Sequence, residues 1–261
     1  MKDTYTQLHL PELKSTFSER ASIAKNDLRS FYRVHTQDFN EQFFRRVLYA
    51  LEKEQILVPL GSGMYTFKEQ AANRRKFLHS PSKELSSIHQ FLQKTFPYLD
   101  YLLWETRILH EFMTHQPGQN LIVVEAEKDS CESVFNQLME KYTGRVFLDP
   151  ARSLVENYVL PQASPIIVLP LISESPRTTH NKIPFPKLEK ILVDILVDEN
   201  IFFAFQGAEL SYIYENAFNT YWLNQRTMFR YARRRKAEKT LQEFLETNTG
   251  IQLERKRKSE Q

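Results

Sequence analysis

Two neighbouring carboxylates are the best candidates for acid–base or metal chemistry in this sequence. Glu125 and Glu127 follow the apolar run that begins at Leu121, so a β-strand would place them on one face, and Lys128 comes next. A nuclease of the restriction type needs its acid and its lysine two residues apart. Lys128 is one residue from Glu127 and three from Glu125, so it falls on the wrong side in both cases. A metal-dependent nuclease or nucleic-acid-processing enzyme that uses Glu125 and Glu127 is therefore the alternative hypothesis.

Other patterns that indicate catalysis or metal binding are incomplete. His110 and His115 flank a glutamate as in the HExxH zinc motif, but their spacing of five separates them by roughly 140° on a helix. The chain has six glycines, and neither GxGxxG nor a P-loop occurs among them. We therefore predict no catalytic site, no metal and no cofactor. The single Cys131 excludes an intramolecular disulfide and favours a reducing compartment.

A second set of polar side chains is suited to nucleic acid. Residues 38–53 have helical periodicity, and their polar side carries arginine and amide groups. Arginine can bind guanine or phosphate in a bidentate manner, and asparagine and glutamine can bind adenine. We predict that four side chains face a DNA groove: Asn40, Gln42, Arg45 and Arg46. Three more are predicted to contact the DNA backbone: Lys25, Arg29 and Lys68.

The elements around these residues predict a winged helix-turn-helix. Asp38 is placed to cap the recognition helix, and Glu41 would complete a capping box. Two short strands, Ile56–Leu60 and Met64–Phe67, flank Gly61-Ser62-Gly63 and predict a β-hairpin. In this motif the second helix of the pair lies in the major groove.

The segment before residue 38 supplies the remaining elements of that motif. Leu10, Leu13 and Phe17 are spaced for a first helix, and Ser22-Ile23-Ala24 is predicted to be a strand that pairs with the hairpin. Residues 26–34 are predicted to form the helix that precedes the recognition helix.

From about residue 98 the pattern changes to short apolar strands that alternate with helices. Strands are predicted at 100–105, 121–125, 145–148 and 166–169, and the C-terminal part carries helical stripes. The predicted fold class is thus α+β or α/β: a winged helix, then a mixed α/β sheet domain with a helical C-terminal part. The predicted boundaries are 1–76 for the winged helix, 77–98 for a helical connector, 99–248 for the α/β domain and 249–261 for a disordered tail.

Charge is distributed unevenly along the 261 residues, whose formal net charge is +3. Residues 1–75 carry twelve Lys and Arg against nine Asp and Glu, residues 230–261 carry ten against five, and the middle is acidic. Basic ends fit nucleic-acid contact. A second candidate nucleic-acid patch consists of Arg233, Arg234, Arg235 and Lys236, although charges that surround a helix are by default solvated. We expect a cytoplasmic protein, because no signal peptide or membrane span is apparent.

Three segments resemble the AbiEi family of antitoxins from type IV toxin–antitoxin systems. These are the hairpin strand within Gly61–Phe67, the Trp104-Glu105-Thr106 strand end, and Pro186–Leu196, which is similar to the family's P-x-x-E-(K/R)-x-L-x-D-L-L helix. The resemblance covers most of the chain and not the Arg255–Lys258 tail. Basic residues expected in the wing are missing from Val58–Met64, which is a departure from the family pattern.

The resemblance implies a non-enzymatic antitoxin that represses its own operon and counteracts a nucleotidyltransferase-type toxin. The implied partners are operator DNA and the cognate toxin, whose neutralisation need not be direct. A second copy of the chain is a further expected partner, since one recognition helix usually needs a dimer or cooperative binding. A third hypothesis is an adaptor whose winged helix binds a protein. The neutralising residues of the α/β domain are not identified by any motif.

Overall fold

A computed structural model describes residues 8–18, 20, 23–61, 63–69, 77–78, 80–251 and 253. The predicted mixed α+β fold class is confirmed. The chain divides into two compact units: unit 1 (residues 1–76, 218–222 and 252–261) and unit 2 (residues 77–217 and 223–251). Residues 77–98, predicted as a connector, are part of unit 2. No helix in the described part of the chain is long and apolar enough to cross a membrane.

In the residues that the structure describes, unit 1 combines three helices with a small sheet. Its described elements are α1 (Leu10–Phe17), β1 (Ile23–Ala24), α2 (Lys25–His35), α3 (Glu41–Lys53), β2 (Leu57–Gly61) and β3 (Met64–Phe67). The strands are antiparallel in the order β1-β3-β2, and Ile23 pairs with Tyr65. The predicted strand and hairpin residues Ser22 and Ser62 lie outside the described residues. Whether this arrangement acts as a winged helix-turn-helix stays a prediction.

The core of unit 1 explains which way α3 faces. Phe44, Val47 and Leu51 recur at helical spacing and are buried in one apolar cluster with residues of α1 and α2. The helix begins two residues later than the sequence predicted: Asn40 is its N-cap, and the Asn40 side chain accepts a 2.8 Å hydrogen bond from the Phe43 backbone amide. The predicted cap Asp38 is therefore corrected to Asn40, which lies at the standard spacing from that amide.

Unit 2 is built on a four-stranded sheet. Its strands are β4 (Tyr101–Glu105), β5 (Ile122–Ala126), β6 (Val146–Leu148) and β7 (Ile166–Pro170), in the order β4-β5-β7-β6. β5, β6 and β7 are parallel, and β4 is antiparallel to β5. Helix α4 (Lys83–Thr95) precedes the sheet, and α5 (Cys131–Lys141) connects β5 to β6. The central strands β5 and β7 are buried almost throughout, as expected for strands covered on both faces, whereas Leu148 of the edge strand β6 is exposed.

The remaining elements of the chain are mostly helical. A short helix α6 (Arg152–Leu154) continues into a π-turn, and a hairpin of β8 (Arg177–His180) and β9 (Ile183–Pro186) leads into α7 (Leu188–Val197). The last three helices are α8 (Ala208–Thr220), α9 (Gln225–Arg234) and α10 (Glu238–Asn248). α9 packs against α7 within unit 2. Nearly every residue of α7 is buried, including three charged ones.

Candidate functional site

The outer face of α3 carries the predicted groove-facing side chains. Gln42, Arg45 and Arg46 are exposed, and so is Tyr49, at 66%. These positions are three to four residues apart and share one face of the helix. The Arg46 guanidinium lies 5.9 Å from the centre of the Phe43 ring. Among the described residues, Arg45 forms no hydrogen bond or ion pair. This face therefore presents two arginines and an amide to solvent.

Other members of the predicted DNA-binding set are engaged within unit 1. Arg29 Nε lies 3.1 Å from Glu41 Oε1, and Arg29 Nη1 donates a 2.9 Å hydrogen bond to Asn26. Asn40 uses its carbonyl oxygen as the helix cap. The Lys68 ammonium is exposed and donates to the Gln55 side chain. Lys25 is partly buried beside the hairpin, where its backbone amide donates to Gly63.

The predicted C-terminal patch does not form one exposed surface. Arg233 binds both carboxylate oxygens of Glu238 at 2.9 Å, and Arg234 lies near Glu174. Arg235 points inward, and its side chain is only 14% exposed. Lys236 is exposed and has a positive φ of 57°. The default expectation that all four charges are solvated is thus corrected for Arg235.

The glutamate pair of the nuclease hypothesis is also separated. Glu125 lies inside unit 2, where it is 4% exposed, whereas Glu127 follows the end of β5 and is exposed. The Trp104 indole donates a 2.9 Å hydrogen bond to Glu125 Oε1. Lys128 is exposed, and the lysine that meets Glu125 is instead Lys190 of α7. Glu125 and Glu127 therefore lie in different environments, because only the first is enclosed by the fold.

Neither histidine of the incomplete zinc pattern belongs to a metal site in the described part of the chain. His115 Nδ1 lies 2.8 Å from Glu209 Oε1, and no group of three His, Cys, Asp or Glu side chains in that part could hold a metal ion.

A buried charge network connects β5, α7 and α9 in unit 2. Lys190 Nζ lies 2.6 Å from Glu125 Oε2 and also binds Asp194, one helical turn further along α7. Asp194 Oδ1 accepts a 2.8 Å hydrogen bond from the Tyr231 hydroxyl and lies 3.1 Å from Arg235 Nη1. Arg235 binds Asp198 as well. We call these six residues the charge network: Glu125, Lys190, Asp194, Asp198, Tyr231 and Arg235.

Burial and neighbouring charges perturb the titration of this network. Burial raises the pKa of the Glu125 carboxyl; Lys190 opposes this rise and Asp194 adds to it. Burial also raises the pKa of Asp198, against the effect of Arg235. Although burial alone would lower the pKa of Lys190, the charges of Asp194 and Glu125 raise it. Lys190 is therefore held as a cation, and the carboxyls of Glu125 and Asp198 bind protons more readily than in water.

The sequence held a signal for part of this network. α7 is apolar almost all round its circumference, so a lysine and an aspartate four residues apart within it had no solvated face available. Lys190 and Asp194 could have been expected to pair inside the domain on that ground. No local pattern indicates Arg235 or Trp104 as their neighbours.

The family model described as "Family of unknown function (DUF6577)" matches residues 43–251, which is most of the chain. The chain belongs to the DUF6577 family. The matched part of this DUF6577 protein begins within α3 and includes Arg45, Arg46 and the whole charge network. No curated protein matches the sequence significantly.

Proposed function

We propose that this DUF6577 protein is a DNA-binding regulator, with α3 as its recognition helix, and that it acts as the antitoxin of a type IV toxin–antitoxin system. The observation that carries the DNA-binding part is the division of α3 into two faces. Phe44, Val47 and Leu51 fix the helix to the core of unit 1, while Arg45 and Arg46 stand exposed on the other side. A rigid helix that presents arginines is the means by which helix-turn-helix proteins read the major groove.

The surrounding elements support that proposal. α2 ends at His35 and α3 begins at Glu41, so a short turn joins them, and the β2–β3 hairpin follows α3 directly. This order of helices and hairpin is the one a winged helix has. Gln42, Arg45 and Arg46 are the residues of the predicted set best placed to reach base edges, because Arg29 and Asn40 already have partners within unit 1. We assign Lys25 and Lys68 to phosphate contacts beside the hairpin.

The antitoxin part rests on the resemblance of three segments to the AbiEi family. One of these is the segment from Pro186 through α7, whose Lys190 and Asp194 take part in the charge network. The charged positions of that pattern thus have a folding role in unit 2. The partners of the proposed function are operator DNA upstream of the protein's own gene and a nucleotidyltransferase-type toxin encoded beside it. Operator binding would use a dimer or cooperative binding to reach useful specificity.

The DNA-binding part is tested by fluorescence anisotropy on the upstream DNA over a range of salt concentrations. We expect the wild type to prefer this DNA over a shuffled duplex, and Arg45→Ala/Arg46→Ala to lose that preference. Each lost phosphate contact lowers the slope of log affinity against log salt by about 1. The matched control is Lys83→Ala/Lys94→Ala, which removes two exposed charges from α4 of unit 2. An unchanged preference in the arginine variant, or no preference in the wild type, contradicts the proposal.

The antitoxin part needs a separate experiment. The adjacent gene, where it encodes a nucleotidyltransferase-like protein, is expressed from an inducible promoter with and without this chain. We expect growth arrest that the wild-type chain relieves. The variant Arg45→Ala/Arg46→Ala, expressed from a foreign promoter, should relieve it equally if neutralisation does not require operator binding. Failure of the wild type to restore growth contradicts the antitoxin part and leaves the DNA-binding result standing.

A further inference from the structure

A cleft of about 380 Å³ opens in unit 2 at the carboxyl ends of the three parallel strands. Glu125 of β5 lines it, and so do Asp149 directly after β6 and Pro170 at the end of β7. In open α/β sheets this end of the strands is where ligands bind. The volume suits a small molecule. The proposed DNA-binding function does not use this cleft.

The lining of the cleft combines aromatic rings with charged groups. Trp104 and Phe202 line it, with ring centres 5.5 Å apart and the ring planes inclined by 34°. Leu169, Ile172 and Ile201 complete the apolar part. The charged part comes from the ends of two helices and two strands: Glu125, Asp149, Asp194, Asp198, Arg234, Arg235 and Lys236. An apolar lining with a few fixed charges is the usual composition of a specific ligand site.

Four carboxylates line the cleft, and among the described residues only Lys190 and Arg235 form ion pairs with them. The charge network has three carboxylates, those of Glu125, Asp194 and Asp198, against the two cations Lys190 and Arg235. Asp149 adds a fourth carboxylate, which among the described residues has no hydrogen-bond or ion-pair partner for its side chain. Acceptor capacity toward the cleft is therefore left over at Asp149 and Asp198, the latter with 29% of its side chain exposed.

Lys236 supplies the complementary donor. It lines the cleft, is exposed, and binds no carboxylate of the described residues. Arg234 is less available, because Glu174 and the Ser173 hydroxyl lie beside its guanidinium. The groups with binding capacity to spare are thus the Asp149 carboxylate, the Asp198 oxygen that Arg235 does not bind, and the Lys236 ammonium. Their complement is a molecule with two cationic nitrogens and one carboxylate.

We infer that this cleft binds a free basic amino acid, with its amino and guanidinium or ammonium groups at Asp149 and Asp198 and its carboxylate at Lys236. The apolar part of the lining, Leu169, Ile172 and Ile201, would cover the aliphatic part of such a ligand. Charge-assisted hydrogen bonds of this kind give both affinity and selection between isosteres.

The inference is tested by isothermal titration calorimetry on the full chain with L-arginine as the probe and no DNA present. We expect saturable binding with one site per chain. L-citrulline has nearly the same shape with an uncharged side chain, and agmatine lacks the carboxylate. Each should bind at least about tenfold more weakly, because each leaves one charged group of the cleft unpaired.

Two variants test the residues and have matched controls in unit 2. Asp149→Asn keeps a residue that tolerates the local positive φ of 38°, and Lys236→Gln removes the ammonium. Both should weaken L-arginine binding by about tenfold or more. The controls are Asp129→Asn, which is exposed, and Lys182→Gln, at an exposed lysine whose φ of 68° is also positive. Circular dichroism melts verify folding of all four variants.

Three results would overturn the inference. The first is the absence of binding at L-arginine concentrations up to about 10 mM, which is on the order of the weakest useful affinities. The second is equal binding of L-arginine and L-citrulline, and the third is unchanged binding in both cleft variants. Because the titration contains no DNA, its result does not depend on whether α3 binds an operator. Loss of operator preference in the α3 variant, conversely, does not affect the titration.

Discussion

Lys190 Nζ lies 2.6 Å from Glu125 Oε2, although 65 residues separate the two in the chain. Lys190 is fully buried and Glu125 nearly so. The pair joins α7 to the central strand region of the sheet, and Asp194 extends it toward α9. The buried Lys190 cation depends on its carboxylate partners. The contribution of each partner to the free energy of unfolding can therefore be measured by replacing that partner.

Replacing Lys190 with methionine should destabilise unit 2 strongly. Two buried carboxylates, Glu125 and Asp194, would lose their shared cation, and breaking a buried pair in this way costs about 3–5 kcal/mol. Adding Glu125→Gln should recover part of that loss, since it removes one uncompensated charge. Urea unfolding of the single and double variants gives the coupling. Lys94→Met, on the exposed side of α4, should change the free energy of unfolding by less than about 0.5 kcal/mol. Additive effects of the two network substitutions would contradict this prediction.

The two arginines at the end of α9 should differ in their effect on stability. Arg235→Ala leaves Asp198 without its cation and removes one of the two cations that bind Asp194, and we expect a loss of about 3 kcal/mol. Arg233→Ala removes an ion pair whose arginine is 65% exposed, and such surface pairs contribute little to stability because water and salt screen them. Thermal melts of both variants make the comparison. Equal losses would mean that the buried position of Arg235 has no energetic consequence.

Stability should depend on pH through the raised carboxyl pKa of Glu125. Since burial raises this pKa in the folded state, the folded protein binds the proton more tightly than the unfolded chain does. The contribution of Glu125 to the free energy of unfolding therefore falls as pH rises from about 4, the ordinary carboxyl value, through the raised pKa. Glu125→Gln should remove this part of the pH dependence, whereas the exposed Glu132→Gln should not. The readout is the urea midpoint at several pH values, and identical pH profiles for Glu125→Gln and wild type would refute the assignment.

The cap of α3 provides a prediction in unit 1. Asn40→Ala removes the side-chain acceptor of the Phe43 amide and should cost about 1 kcal/mol. Asp38→Ala, at the position that the sequence suggested for the cap, should stay within about 0.5 kcal/mol of wild type. Both are measured by chemical unfolding followed by circular dichroism. A larger effect at Asp38 than at Asn40 would show that the helix begins earlier than observed.

Elements with strong local periodicity were predictable from the sequence. The strands at 101–105, 122–126 and 166–170 and the apolar stripe of α3 depend on the alternation or helical spacing of nearby side chains, and the structure has them within one or two residues of the predicted bounds. The cap was misplaced by two residues, because Asp38 and Asn40 are both good capping residues and only the backbone conformation selects between them.

The sequence by itself thus determined the α+β class, the strands and the polar face of α3, since each follows from interactions between residues close in the chain. Only the tertiary structure decided that Glu125, Lys190 and Arg235 meet. The local patterns predicted a strand face for Glu125 and exposure for Arg235, and the meeting depends on α7 and α9 packing together beside β5. Burying those charges is unfavourable for each of them alone. It becomes tolerable only when the fold brings opposite charges within hydrogen-bond distance.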